Sequence, residues 1–388
     1  MAHFLPRNAY TPRIIASITT ELISIAARDL SALYKDDSEG FRLALDELIR
    51  RTIPSAKLPS LPPKGPLPVL GPFYLDTNQL EDRIVLEMTR FDNGGIDALL
   101  EVLDLPTTLT LPNRSQISAR HGLFIALYRL AVPHRLSDIS LILRRPVSLI
   151  SFSINTVLSM VYKKWSHLLE FDTTRLTHTQ LSVYAKAIYG KGCPAPNVWA
   201  FMDATIIAIC RPTRNQQVAY NGYYRSHAMK FGCITTPDGI ISHCSPAFEG
   251  RRGDGAIVSD TELLPLLREH ARDPKDQQLF IYGDPAYGES DAVVSGLKRL
   301  EELTPEEQDL NKEMSRYRQA AEWSFGKVRS LWSMIDYNRK LQVELCPIGI
   351  YCRVAILMTN AHTCLYGSET SQYFNLPPLL LQKYFSAP

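Results

Sequence analysis

The chain has 388 residues, of which 45% are hydrophobic and 21% are charged, a balance typical of globular proteins. This composition excludes a largely disordered chain and gives no reason to expect a membrane protein. The formal net charge is only +2, so a nucleic-acid partner would require a local cluster of basic residues.

The N-terminal part is predicted to be helical. Apolar residues recur at helical spacing up to residue 53, and residues 54–75 then contain seven prolines, which excludes a regular helix and indicates a linker or a wrapping arm. Helical spacing resumes over residues 76–103, and we expect a helical domain over residues 76–195. The seven cysteines form no CxxC pair, so free thiols in an intracellular, reducing compartment are expected.

Residues 116–165 have the outline of a helix-turn-helix. A short helix begins at Leu136, the run Arg144-Arg145-Pro146 ends it, and a longer helix follows up to Trp165. The early exposed positions of the longer helix are predicted to be neutral: Ser148, Ser151, Ser153 and Asn155. Two interpretations stay open, namely DNA contact by a unit that includes Arg144 and Arg145, and a three-helix packing domain.

From residue 198 the chain changes to short segments rich in β-branched and aromatic residues, separated by turn-forming residues. Strands are predicted over residues 198–209, 228–235, 240–248 and 277–282. Helices are predicted over residues 260–272, 291–302, 309–335 and 347–365. Three strands in succession, a helix and a fourth strand indicate a mixed α/β sheet. We place this domain at residues 196–366, followed by a C-terminal tail over residues 367–388.

Three carboxylates occur at positions where a hydrophobic or neutral residue would be usual. Asp203 interrupts an apolar strand, Asp284 directly follows another, and Glu322 flanks the apolar stripe of a predicted helix. A carboxylate in apolar surroundings needs a positive partner or takes up a proton, and divalent cations would explain all three. Each residue also has an ordinary explanation: an ion-paired or helix-capping Asp, an Asp-Pro turn and a solvated helical Glu.

A basic and aromatic loop follows Asp203. No acidic residue occurs between Asp203 and Asp238, and the pair Asn221-Gly222 predicts a hairpin turn. Basic side chains neutralise phosphates, and aromatic rings stack on unpaired bases. The candidate DNA-binding residues of this loop are Arg211, Arg214, Tyr220, Tyr223, Tyr224, Arg225, His227 and Lys230. An exposed hairpin without a ligand is the alternative interpretation.

Further local positive charge lies outside the loop. The additional candidates for DNA contact are Arg251, Arg252, Arg318, Lys327 and Arg329. Arg318 lies one helical turn before Glu322, so a pairing role is the alternative for this residue.

Several segments resemble the DDE transposases of the RNase H-like superfamily, and among them the PIF/Harbinger group. The matching segments are Met202-Asp203-Ala204-Thr205, Arg211-Pro212, residues 220–230, Pro237-Asp238-Gly239, residues 250–254, residues 283–287, Arg318 with Glu322, and Phe325-Gly326. They follow the family's order over roughly residues 199–361. One departure is Gly253, where the family usually has a His before a fourth acid, here Asp254.

The resemblance implies an RNase H-like mixed-sheet catalytic domain after an all-α N-terminal half. It implies a DNA transposase or endonuclease that cuts and joins transposon-end DNA with two Mg²⁺ or Mn²⁺ ions. Asp203, Asp284 and Glu322 would be the catalytic metal ligands, with Asp203 shared by both ions and Asp254 a possible accessory acid.

The same resemblance sets the expected partners and the alternatives. Double-stranded DNA, at transposon ends and at the target, is the expected substrate, with a Myb-like DNA-binding protein as a possible partner. A homodimer, a nuclear location and no membrane partner are also expected. A domesticated DNA-binding or chromatin-associated relative is the alternative, and a structure-specific or RNA-directed nuclease is a third candidate.

Overall fold

The computed structural model describes residues 75–261, 263–288, 290–297, 303–343 and 345–386. The predicted helical segment over residues 1–53 and nearly all of the proline-rich stretch 54–75 lie outside the described residues. The described residues all belong to one compact unit, Phe73–Pro388.

The first helices pack beside a small β-hairpin, so the expectation of an all-α N-terminal half was wrong at this point. The elements are α1 (Asp82–Thr89), α2 (Asn93–Leu103), β1 (Thr108–Thr110), β2 (Gln116–Ser118) and α3 (Ala119–Ala131). The helical spacing over residues 76–103 corresponds to two helices because Arg90 adopts a left-handed backbone conformation with φ 70°. Asp92 then caps α2 by accepting a hydrogen bond from the Gly95 N–H at 2.6 Å. Nearly every side chain of α3 is buried, so α3 is the central helix of this part.

A short and a long helix follow, α4 (Leu136–Leu143) and α5 (Val147–Trp165). Arg144 ends α4 in a left-handed conformation with φ 51°, and the chain bends by 105° between Leu136–Leu143 and Val147–Leu169. The expectation of four exposed neutral positions at the start of α5 was wrong for Ser153, which is buried. Its hydroxyl donates to the Leu149 carbonyl at 2.8 Å, which satisfies it inside the packed face.

The mixed sheet begins after α6 (His178–Gly190). Its strands, with the short helix α7 (Gln216–Ala219) in between, are β3 (Val198–Ala208), β4 (Tyr220–Asn221), β5 (Ser226–Thr235), β6 (Ile241–Cys244), β7 (Phe248–Glu249), β8 (Phe280–Gly283) and β9 (Val293–Ser295). The central strand β3 pairs antiparallel with β5 on one side and parallel with β8 on the other. β6 and β7 pair with β5, and β9 pairs parallel with β8. The order across the sheet is therefore β6, β5, β3, β8, β9.

Helices cover the sheet. They are α8 (Asp254–Ser259), α9 (Leu263–His270), α10 (Pro305–Leu331), α11 (Ser333–Asp336), α12 (Ile348–Tyr366), α13 (Glu369–Tyr373) and α14 (Leu381–Tyr384). The longest, α10, begins with a capping box in which Thr304 binds the Glu307 N–H and the Glu307 side chain binds the Thr304 N–H. The next longest of this group, α12, is buried along most of its length, as expected for a core helix.

Two sequence predictions in this region were wrong in detail. The helix expected over residues 291–302 is replaced, in its described part, by strand β9, because Val293 and Val294 are β-branched and pair with β8. The strand expected over residues 240–248 is broken into β6 and β7 at Pro246, which has no N–H to donate to a neighbouring strand.

One hydrophobic cluster runs from α1–α5 into α10–α12 and one face of the sheet. Arg353 of α12 also binds the Ser166 carbonyl at 3.2 Å and the Glu170 carboxylate at 3.0 Å. Residues on both sides of the predicted boundary at residue 195 thus share one core. The domain limits stay a prediction.

In the part of the chain that the structure describes, no single helix is long and apolar enough to cross a membrane, and α4 with α5 satisfies that test only as a bent pair. All seven cysteines are free thiols, and four of them are buried.

Candidate active site

Asp203 lies on the central strand of the sheet, level with the end of the neighbouring strand. Phe201 of β3 pairs with Tyr282 of β8 in parallel register, and two residues further on are Asp203 and Asp284. Adjacent strands are about 4.8 Å apart, so the register brings these two acids to the same edge. The C-terminal edge of parallel strands is where α/β sheets place functional groups.

The third acid reaches this edge from α10. One terminal nitrogen of Arg318, Nη1, lies 3.2 Å from Oδ2 of Asp203. The other, Nη2, donates to Oε1 of Glu322 at 2.9 Å. The guanidinium therefore bridges an acid of the sheet and an acid of the helix. Asp203 is the more buried of the two, with 21% of its side chain exposed against 51% for Glu322.

The three acids influence one another electrostatically. Burial raises the pKa of Asp203 above its usual value, Arg318 and the Ala204 N–H oppose that rise, and the charges of Glu322 and Asp284 add to it. The Ala204 N–H donates to Oδ1 of Asp203 at 3.0 Å. Both oxygens of Asp203 are thus engaged, one by the neighbouring backbone and one by Arg318.

Asp284 also performs the turn function that its sequence suggests. Its Oδ1 accepts a hydrogen bond from the Ala286 N–H at 2.8 Å and caps a short 3₁₀ helix, Pro285–Tyr287. The turn holds the carboxylate at the strand end, and its charge acts on Asp203. The turn interpretation and the ligand interpretation are compatible.

The donor set fits a divalent cation, although the described residues contain no group of three His, Cys, Asp or Glu side chains arranged to hold one. Mg²⁺ and Mn²⁺ prefer carboxylate oxygens, and Asp203 and Glu322 already share a cation, the Arg318 guanidinium. Metal ligation by Asp203, Asp284 and Glu322 stays a prediction, and it requires side-chain rearrangement around Arg318.

A second charged pair lies nearby. Lys230 of β5 binds Oδ1 of Asp254 at 2.7 Å and the Arg252 carbonyl at 2.9 Å, and its side chain is only 8% exposed. This lysine was predicted to contact DNA, but the structure places it inside, where it fixes the start of α8. Gly253 is exposed, and a Cβ added there would meet no atom within 4 Å. A side chain at position 253 would therefore begin in open space.

Tyr287 has no role predicted from the sequence. Its hydroxyl is buried and, among the described residues, has no hydrogen-bond partner. Burial raises the pKa of Tyr287, and the charges of Asp254 and Asp203 raise it further, so both acids are close enough to act on this hydroxyl. The only signal in the sequence is its place in the segment over residues 283–287.

The predicted hairpin is present and carries exposed aromatic rings. β4 and β5 pair at Tyr220 with His227 and at Asn221 with Ser226. The Asn221 side chain shapes the turn by accepting from the Tyr224 N–H at 2.9 Å. Tyr223 and Tyr224 are 88% and 59% exposed and contact each other edge to face. Large exposed rings of this kind are available for stacking.

The remaining candidate DNA-binding residues differ in their surroundings. Those on the surface are Arg144, Arg211, Arg214, Arg225, Arg251, Arg252 and Arg329, whereas His227, Arg145 and Lys327 are partly buried. Arg211 bonds to Gln216 at 2.8 Å, and Arg252 pairs with Asp260. Lys327 donates hydrogen bonds to the Thr363 hydroxyl and the Gly367 carbonyl. DNA contact by these residues stays a prediction.

Comparison with known proteins gave one match. Residues 202–360, less than half of the chain, match the family model described as DDE superfamily endonuclease. Searches of curated proteins and of solved structures found no match. The matched segment begins one residue before Asp203 and contains Asp284 and Glu322. It supports a DDE-type transposase family, and a transposase or endonuclease function, for this part of the chain.

Proposed function

We propose that this chain is a DNA transposase or endonuclease of the PIF/Harbinger type, which cuts and joins transposon-end DNA with two Mg²⁺ or Mn²⁺ ions. The observation that carries the proposal is that Arg318 joins Asp203 to Glu322 while the strand register sets Asp284 level with Asp203, inside the segment that matches DDE superfamily endonucleases. Turn formation or surface solvation would not require these three distant residues to meet.

The strand order also supports the proposal. A central strand with antiparallel neighbours on one side and two parallel strands on the other fits an RNase H-like sheet. The 105° bend between α4 and α5 fits a helix-turn-helix, whose helices cross at roughly 90–120°.

In the proposed mechanism, Asp203 would hold both ions, because it lies on the central strand, level with Asp284 and joined to Glu322 through Arg318. Asp284 and Glu322 would each hold one. When bound, such an ion pair activates water or a 3′-hydroxyl and stabilises the leaving oxygen. The chain's contribution is orientation: the Ala204 N–H fixes one oxygen of Asp203, and the turn at Pro285 fixes Asp284.

The hairpin and the strands that lead to it would form the DNA-binding surface. Asp203 pairs with Cys233, and Ala208 pairs with Ala228, so β3 and β5 continue about 17 Å beyond the acids. At the far end are Tyr223, Tyr224 and Arg225. Arg225 would bind the backbone of DNA next to the cleavage site, and the rings of Tyr223 and Tyr224 would stack on unpaired bases. A nuclear location, a homodimer and a Myb-like partner belong to the same proposal.

The central test is Asp203→Asn. We expect metal-dependent cleavage of transposon-end DNA to fall by about 10²–10³-fold, because a lost metal ligand removes roughly 3–4 kcal/mol of transition-state stabilisation. Folding should survive, since Asn keeps the shape and can still accept from the Ala204 N–H. The matched control is Glu313→Gln, an exposed acid on α10, which should leave cleavage unchanged. Undiminished cleavage by Asp203→Asn would refute the proposal.

A domesticated DNA-binding protein is the second candidate. Two observations favour it. Gly253 stands where the family has His, and the described residues contain no three carboxylates arranged to hold one metal ion. Calorimetric titration with Mn²⁺ separates the two candidates, because an inactive relative would show no binding that Asp203→Asn abolishes. A structure-specific or RNA-directed nuclease would instead prefer branched or hybrid substrates over duplex DNA.

A further inference from the structure

Arg318 occupies the centre of the acidic site. Its two terminal nitrogens bind different acids, Asp203 at 3.2 Å and Glu322 at 2.9 Å, and its side chain is mostly buried between them. Two other cations of α10 are engaged elsewhere: Arg329 donates to the Thr205 hydroxyl and the Ile206 carbonyl, and Lys327 donates to the Thr363 hydroxyl of α12. Among these three cations, Arg318 is the one that contacts the acids.

The charges of the three acids keep Arg318 in this position only as long as no divalent ions are bound. Three carboxylates repel one another, and Arg318 offsets one of their three negative charges in the structure described here. Two divalent ions would bring four positive charges and need the same oxygens that Arg318 now holds. A guanidinium kept in place would then repel the ions at short range. Arginine binds phosphate oxygens as readily as carboxylates, so DNA supplies an alternative partner.

We propose that Arg318 is an exchangeable counter-ion. It neutralises Asp203 and Glu322 before metal loading, leaves them when divalent ions bind, and then pairs with a phosphate of the bound DNA. This inference rests on the proposed metal-dependent function and names how that site is regulated. Arg318 is therefore a positioning residue for the acids without metal, and a phosphate contact with metal.

The experiment is calorimetric titration of the full chain with Mn²⁺ in the absence of DNA, on the unmodified chain, Arg318→Gln, Arg318→Lys and Arg316→Gln. Removing the competing charge should tighten Mn²⁺ binding about tenfold in Arg318→Gln. Arg318→Lys keeps the charge, but its single ammonium group cannot bind two acids through separate nitrogens. A smaller increase in Mn²⁺ affinity is therefore expected. Arg316 is exposed two residues away on α10, and Arg316→Gln should change affinity less than twofold.

A second measurement tests the exchange itself. Binding of duplex DNA in Ca²⁺, which occupies oxygen sites, should weaken about tenfold in Arg318→Gln and remain unchanged in Arg316→Gln. Circular dichroism verifies folding of each variant, and Arg318→Lys serves if Arg318→Gln is unfolded.

The outcomes separate this inference from the proposed function. Equal Mn²⁺ affinity in the unmodified chain and Arg318→Gln, or weaker binding in the variant, overturns the exchange while metal binding itself stands. Tighter Mn²⁺ binding with unchanged DNA affinity overturns the phosphate role. Absence of Mn²⁺ binding in every variant, with Asp203→Asn indistinguishable from the unmodified chain, overturns the proposed function and this inference with it.

Discussion

Lys230 illustrates how one side chain can be misread from sequence. Its place in a basic loop indicated DNA contact, but its ammonium group is buried against Asp254 and the Arg252 carbonyl. Strand β5 is buried on both faces over most of its length, so alternation of polar and apolar residues gives no sign of which way Lys230 points. Only the position of α8 on the sheet determines its partner.

A double substitution tests this buried pair. Asp254→Asn should lower the free energy of unfolding by roughly 2–4 kcal/mol, because it leaves the Lys230 charge buried without a counter-charge. The double variant Lys230→Met with Asp254→Asn should recover at least half of that loss, since no buried charge remains. Denaturant unfolding measures both. If the double variant is no more stable than Asp254→Asn alone, Lys230 is not held by the ion pair.

Among the elements, helix α10 was predicted well from the sequence. Its contact with the central strand of the sheet could not be predicted in the same way. Its apolar stripe indicates a helix over residues 309–335, and the structure has Pro305–Leu331. The pairing of Arg318 with Glu322 follows from helical spacing. The contact of Arg318 with Asp203 joins residues more than a hundred positions apart, and no local pattern determines how a helix crosses a sheet. The expectation that the three acids come together rests on the order of motifs, which resembles that of DDE transposases, and it stays a prediction.

The stripe Arg318, Glu322 and Gly326 recurs at intervals of four residues on α10, so the three share a face. Gly326 is exposed in a helix interior, and an added Cβ would meet no atom within 4 Å. Gly326→Ala should therefore raise the free energy of unfolding by about 0.5–1 kcal/mol.

If the backbone at Gly326 lies against DNA, the same change should weaken binding of duplex DNA in Ca²⁺. Leu310→Ala, an exposed and uncharged position on the opposite side of α10, is the control and should leave DNA affinity unaltered. A Gly326→Ala variant that is more stable and binds DNA equally well would mean that neither folding nor DNA requires this glycine.

At the scale of the whole molecule, the helices before residue 195 and the sheet share their core. The cluster that contains Phe124 of α3 and Val157 of α5 also contains Phe231 of β5 and Leu357 of α12. Local periodicity predicted each of the larger helices involved, yet it contains no information on which helix faces meet. The active-site edge also rests on residues from both predicted domains, since Ile188 and Cys193 share a cluster with Phe201 of β3 and Tyr282 of β8.

The same core contains histidines that make stability depend on pH. Burial, with nearby positive charges, lowers the pKa of His121, His243 and His362 to about 4, against 6.5 in an unfolded chain. Between these values the unfolded chain binds protons that the folded chain does not, so stability is full above about pH 6.5 and falls as the pH drops towards 4.

Thermal unfolding followed from pH 7.5 to 4.5 should show a steady decrease in Tm over this window. His243 is enclosed by the protein beside Arg353, so His243→Phe should flatten the decrease by up to a third, the share of one of three comparable groups. His178→Gln, at an exposed position on α6, should leave the slope as it is. An unchanged slope in His243→Phe would mean that acid sensitivity arises from carboxylates, which titrate nearer pH 4, and that proton uptake by the buried imidazoles does not limit the fold.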